Sequence, residues 1–285
     1  MNLKKSVLCL SMLSLSATAL IHMNASANEP LTPTTTTTNA TKIAPSDIDA
    51  YVSELYGQID FGRGDKVAEE VFNKAMRGYL NLKAAGKLSD SREILSVADF
   101  TRSSTQNRLW VIDLKNKKVL YNTYVAHGQG SGMDVPTVFS NEDGTHASSI
   151  GFYVTDDTYV GKHGNSLRLS GMDRGYNDAA LARGIVVHAA DYVSTSNIQG
   201  QGRLGRSWGC PAVSPTLAQP IINTIKGGTC LFIYYPAKDY LKTAYWLNKK
   251  IDAVPGAPAQ QGMPTVADME KLAAKTGADT NTNRL

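Results

Sequence analysis

No Lys- or Arg-dense stripe runs through this 285-residue chain and its formal net charge is only +4, which argues against nucleic acid as a main partner. Apart from one stretch near the N-terminus it has no apolar run approaching the length of a membrane span, so the remainder is expected to be soluble. Its 5 histidines and 3 cysteines show no zinc-type spacing, and neither a metal nor a cofactor is implied. Internal repeats are missing too.

The N-terminus has the pattern of an export signal. Lys4 and Lys5 make a short positive region, Val7 to Leu20 an apolar stretch broken only by small residues, and Ala25-Ser26-Ala27 a small-residue cleavage pattern. The expected mature chain begins near Asn28 and is periplasmic or secreted, with no membrane attachment after cleavage; the rival reading is an uncleaved anchor, for which the run is short. Removing residues 1–27, which hold no Asp or Glu, takes the formal charge from +4 to +2. Cys9 leaves with the signal. Cys210 and Cys230 then stand in a compartment that permits disulfides, so they either bridge each other or leave a free thiol for chemistry.

Composition and periodicity divide the rest. Residues 28–45 are a Thr/Pro-rich linker that includes Thr34 to Thr38, an extended tether. Residues 46–91 are expected to be helical and packed on the main domain, with Ser46 capping a helix over Asp47–Tyr56 and a second helix carrying Val67, Val71, Ala75, Tyr79 and Leu82 up to Gly86. From Ile94 the period shortens. Leu109–Asp113 and Val119–Val125 form a hairpin around a polar Lys/Asn cluster, and further strands are expected at Ile150–Thr155, Leu167–Ser170, Ile185–His188 and Thr229–Tyr235. Thr216–Lys226 reads as a helix, as does a short segment from Leu241 to Ile251, and residues 241–285 form a C-terminal helix and flexible tail. The whole is mainly β, with N-terminal and short peripheral helices.

One turn is built for chemistry. In Gly205-Arg206-Ser207-Trp208-Gly209-Cys210-Pro211, Gly209 lets the backbone come close to a substrate and Pro211 keeps Cys210 out of a regular helix or internal strand. The thiol is presented, and N–H groups around Gly209 and Cys210 can face an oxyanion. A cysteine nucleophile works as thiolate, which a neighbouring imidazole generates. His188, at the end of Ile185-Val186-Val187, is the best placed base. The residues alone leave open a Cys210–Cys230 disulfide and a purely structural His188. His127-Gly128-Gln129-Gly130-Ser131-Gly132 lacks the Lys-Ser/Thr of a phosphate loop and reads as a flexible loop near the cleft.

His188 followed by Ser207-Trp208-Gly209-Cys210 resembles the signature of the murein L,D-transpeptidase catalytic domain family, as do Gly161-Lys162-His163-Gly164-Asn165-Ser166-Leu167-Arg168-Leu169 and the segment Gly202–Ala212. The likeness spans roughly Ile94 to Pro236 and sets a catalytic domain at residues 92–240, of the β-sandwich or mixed-sheet kind. It implies a cysteine L,D-transpeptidase acting on peptidoglycan stem peptides. Cys210 would form a thioester at an L-centre diaminopimelate carbonyl with release of D-Ala, and an amine from a second stem peptide or a protein would resolve it. His188 is then the base, the Ala189 carbonyl orients it, and the Gly209 and Cys210 amides hold the oxyanion. This chain departs from the wider family at two points: Trp208 replaces a histidine, and Pro211-Ala212 replaces an apolar residue followed by Arg or Asn. Arg168, Arg203 or Arg206 are candidates to grip a carboxylate instead, with His163, Ser207 and Trp208 lining the cleft. The alternatives are a carboxypeptidase or endopeptidase that uses water, and a non-catalytic murein-binding protein with a Cys210–Cys230 disulfide.

Overall fold

A computed structural model describes residues 41–42, 45–251 and 253–254. The expected export signal, most of the expected linker and the tail beyond residue 254 lie outside the described residues.

The chain enters through a two-residue strand, β1 (Thr41–Lys42), which pairs antiparallel with β10 (Ala253–Val254). Two helices follow, α1 (Pro45–Gln58) and α2 (Glu69–Ala84). The first starts at Pro45, so Ser46 lies inside it; proline suits a first turn, where its missing N–H costs nothing. The second starts after Ala68 because the Val67 carbonyl is taken by the Tyr56 hydroxyl at 2.8 Å. Its apolar stripe of Val71, Phe72, Ala75, Met76 and Tyr79 is buried, and the helix packs on β2 and β9 of the sheet described next.

Eight strands make one mixed sheet: β2 (Ile94–Asp99), β3 (Leu109–Asp113), β4 (Lys118–Thr123), β5 (Gly151–Gly161), β6 (Gly164–Gly171), β7 (Val186–Ala189), β8 (Ala212–Val213) and β9 (Cys230–Tyr234). They lie in the order β4-β3-β2-β9-β5-β6-β7-β8. Only β2–β9 and β7–β8 are parallel. The central strands β2 and β9 are buried throughout; β9 reads as an unbroken apolar run, whereas β2 also buries Ser96 and Asp99. The mainly β reading is borne out, and each expected strand is present within a few residues.

The differences have local causes. β5 continues to Gly161, far past Thr155, through a register shift between Thr155 and Thr158 that carries the pairing with β6 into a projecting hairpin. Its outer half is solvated and so gives no apolar signal. A helix absent from the sequence reading, α3 (Thr195–Gln201), buries none of its residues; it is held by the Ser194 hydroxyl accepting from the Asn197 N–H at 3.3 Å and by left-handed Gly202. The expected helix α4 spans Pro215–Ile225. The segment expected to be one C-terminal helix is two, α5 (Lys238–Thr243) and α6 (Tyr245–Asn248), parted at Ala244. The Asn248 side chain takes the Leu241 and Ala244 carbonyls at 3.0 and 2.8 Å, so the break is satisfied.

Candidate active site

The site forms where the sheet runs out, at β7 and β8. Val186 and Val187 are buried in β7, and His188 follows with 3% of its surface exposed. Parallel pairing sets His188 opposite Ala212 and Ala189 opposite Val213. Cys210 precedes Ala212 by two residues, so its thiol comes level with Val186, whose N–H points at Sγ from 3.5 Å, while Sγ lies 3.7 Å from the Gly184 carbonyl. The base and the thiol line the same cleft of about 370 Å³.

The turn carrying Cys210 is locked from within. The Ser207 hydroxyl donates to the Cys210 carbonyl at 2.6 Å and accepts from the Gly209 N–H at 3.1 Å. Gly209 has φ +118°, and a Cβ there would sit 2.9 Å from the Ala147 carbonyl oxygen. Its freedom therefore serves the protein's own packing. The Gly209 N–H is committed to Ser207, whereas the Cys210 N–H, like those of Arg206 and Trp208, has no partner among the described residues.

Support comes from the glycine-rich segment 127–132. This is no flexible loop: Gln129–Ser131 form a 3₁₀ turn, Gly128 bridges to Ser207, and a Cβ on Gly128 would meet Gly209 Cα at 2.7 Å. The Ser148 hydroxyl accepts from the Gly128 N–H and donates to the Gly209 carbonyl, joining the two segments. Below them Arg108, fully buried, donates to the Val125 and Arg102 carbonyls and to His127 Nδ1 at 2.8 Å. A guanidinium can only donate, so Nδ1 accepts and the Nε2–H faces the Gly132 carbonyl. Burial first, then the Arg108 charge, pushes the His127 pKa down to about 3.

His188 has one nitrogen fixed. Its Nδ1 lies 2.8 Å from the Ala189 carbonyl, which can only accept, so the proton is on Nδ1 and Nε2 is free as a base. Burial pushes its pKa down; the Ala189 carbonyl opposes this, while His163 and Lys162 add to it. Burial likewise raises the Cys210 pKa, against the Val186 N–H and the charges of Arg183 and Lys162. Both shifts favour a neutral thiol beside a neutral imidazole, not a standing ion pair.

The other expected site residues divide. His163, Ser207, Trp208 and Arg206 line the cleft. The His163 ring lies on His188, centroids 4.4 Å apart, and Trp208 stacks on His146 at 4.6 Å with Lys162 over its ring. One Arg206 nitrogen donates to the Gly132 carbonyl at 2.8 Å. Arg168 and Arg203 are not among the lining residues; the first lies over the Tyr159 ring and the second donates to the Leu204 carbonyl. The sequence reading passed over Lys162 and Arg183 as site residues, although Lys162 stood in a segment it singled out. Arg183 gave no signal, since its place depends on carbonyls of Ser140 and Ala147 far away in the chain. Cys210 and Cys230 are both unpaired, Cys230 being buried in β9, so the disulfide alternative does not hold.

Residues 63–234 match a family model described as the L,D-transpeptidase catalytic domain. No curated protein matches. Among solved structures, an L,D-transpeptidase from Mycobacterium smegmatis is 16% identical with a TM-score of 0.32, covering 50% of this chain and 59% of its own. L,D-transpeptidase 3 from Mycobacterium tuberculosis, in complex with a faropenem-derived adduct, is 15% identical with a TM-score of 0.31, covering 50% and 61%. An L,D-transpeptidase from Stackebrandtia nassauensis is 13% identical with a TM-score of 0.31, covering 69% and 94%. The chain thus spans about three fifths of the length of the mycobacterial proteins it matches.

Proposed function

Since the chain belongs to the L,D-transpeptidase catalytic domain family, matched over residues 63–234, we propose that it is an exported cysteine L,D-transpeptidase that modifies peptidoglycan. The observation that carries this reading is the unpaired Cys210 thiol, held on a locked turn in the same cleft as an imidazole whose other nitrogen is tied to the Ala189 carbonyl. No metal or cofactor is called upon.

As the Cys210 sulfur attacks the carbonyl at the L-centre of a diaminopimelate residue, its proton passes to His188 Nε2. The carbonyl oxygen takes up the electron pair and faces the Cys210 N–H, since the Gly209 amide is already used. When the tetrahedral species collapses, the C–N bond to the terminal D-Ala breaks and the imidazolium returns its proton to the leaving amine. A thioester remains. An incoming amine, from a second stem peptide or from a protein, attacks it, loses a proton to His188 and expels the thiolate. Resting neutrality suits this sequence, because a neutral imidazole is ready to accept and the thiol need ionise only as it reacts.

Substrate recognition follows from charge. Lys162, Arg183 and Arg206 line the cleft and no carboxylate does, which fits the several carboxylates of a stem peptide. Arg206 keeps donors beyond the nitrogen bound to Gly132 and is the better carboxylate grip than Arg168 or Arg203.

Incubating the Cys210→Ala variant with muropeptides tests the reading: release of D-Ala is expected to fall to background while the fold is retained. Undiminished turnover sinks the proposal. Mass spectrometry with an added amine then separates transfer from hydrolysis, transfer giving a cross-linked product and hydrolysis a shortened stem alone.

A further inference from the structure

We propose that His163 is a positioning residue for the base, its ring laid over His188 so that this imidazole keeps its place and water is kept from one face. The proposal rests on the reading of His188 as general base. The contact is unusual in its parts. His188 is reached from the far side of the cleft by the tip of the β5–β6 hairpin, where Gly161 pairs with Gly164 and leaves a two-residue loop, Lys162–His163. A two-residue loop has little slack, so the strand register fixes where both side chains point. His163 sits over His188 with centroids 4.4 Å apart and planes 28° apart, and Lys162 lies over Trp208 with its nitrogen 5.4 Å from the ring centroid. One hairpin tip thus touches both halves of the site, the base and the turn that bears the nucleophile.

The hydrogen bond from Nδ1 to the Ala189 carbonyl restrains rotation of the His188 ring about one point only. A second restraint against its face is needed to hold Nε2 in line, and among the lining residues His163 is the one stacked on it. His163 is itself exposed, so nothing in the core requires a histidine there. The ring's cover acts in the same direction as the positive charges around it. The titratable side chains lining the cleft with His188 are Lys162 and His163 from the hairpin, Tyr159 of β5, Arg183 before β7, Tyr192 after it, and Arg206 and Cys210 of the turn. A second proton on His188 is disfavoured first by burial, to which the covering ring contributes, and then by His163 and Lys162.

Proton NMR titration of the histidine ring signals, assigned with a His188→Gln variant, reads this directly and needs no substrate. In the native chain His188 is expected to titrate below the ordinary value of about 6.5. In His163→Ala it should move up by about half a unit or more, and in His163→Phe, which keeps the ring's cover, it should move up by clearly less. An unmoved His188 in the alanine variant overturns the proposal, as does a phenylalanine variant that moves as far as alanine. The muropeptide assay of Cys210→Ala decides the reaction separately, so failure of either reading is told from failure of the other.

Discussion

Cys210 is reactive only as far as its neighbours let it be, and the nearest neighbour is a glycine. Gly209 combines φ +118° with a Cβ position 2.9 Å from a backbone oxygen and 3.0 Å from Ile185 Cδ1, so Gly209→Ala must shift the turn or the segment beneath it. Strain of this kind costs on the order of 1–3 kcal/mol. A lower melting temperature with activity reduced at least tenfold is expected, measured by calorimetry and D-Ala release; an alanine variant that melts and turns over like the native chain would show the turn to be looser than described. At this scale much of the site was legible. Gly-Cys-Pro announces a presented thiol, and an apolar strand ending in histidine announces a rigid imidazole. Arg183 was illegible because an arginine's role is set by the carbonyls it finds, here those of Ser140 and Ala147, and these come from elsewhere in the chain.

Elements in this fold are joined by a few buried polar groups, and Asp173 is the most exposed to pH. It follows β6 and fastens that turn to β5 and α5: one carboxylate oxygen accepts from the Phe152 N–H at 2.7 Å and the Tyr240 hydroxyl at 3.0 Å, while the other has no partner. Burial pushes its pKa up to about 6. A carboxyl whose folded pKa lies above its unfolded value near 4 stabilises the fold fully below pH 4, and that contribution is lost as pH rises through about 6. The swing is on the order of 2–3 kcal/mol. Denaturation of Asp173→Asn across this window should therefore show a flatter dependence on pH than the native chain, and an equal slope in both would remove Asp173 as its source. Elements themselves were legible in proportion to their burial. β3 and β9 are apolar runs and were found, while β2, interrupted by Ser96 and Asp99, showed only as a shortened period; the outer half of β5 and most of α3 face water, and their positions come from pairing and capping, which periodicity does not register.

Across the whole molecule, charge and topology decide how substrate meets the site. With Lys162, Arg183 and Arg206 on the cleft wall and no carboxylate among them, capture of an anionic stem peptide should weaken with salt. Screening over about 10 Å at 0.1 M makes a severalfold drop in kcat/KM between low and 0.5 M salt the expected outcome, with kcat little changed. A kcat/KM indifferent to salt would place recognition in the apolar wall instead. The parallel pairing of β7 with β8 has another consequence, for the chain before it is an enzyme. His188 lies on β7, the last strand but one, and Cys210 stands two residues before the edge strand β8; the segment between them carries α3 and the locked turn, and the pairing of β7 with β8 brings its two ends together. A polypeptide still unfolded carries a thiol with no base beside it. On the proposed mechanism, acyl transfer has to wait until the sheet's last edge has closed, and a half-made molecule is chemically quiet.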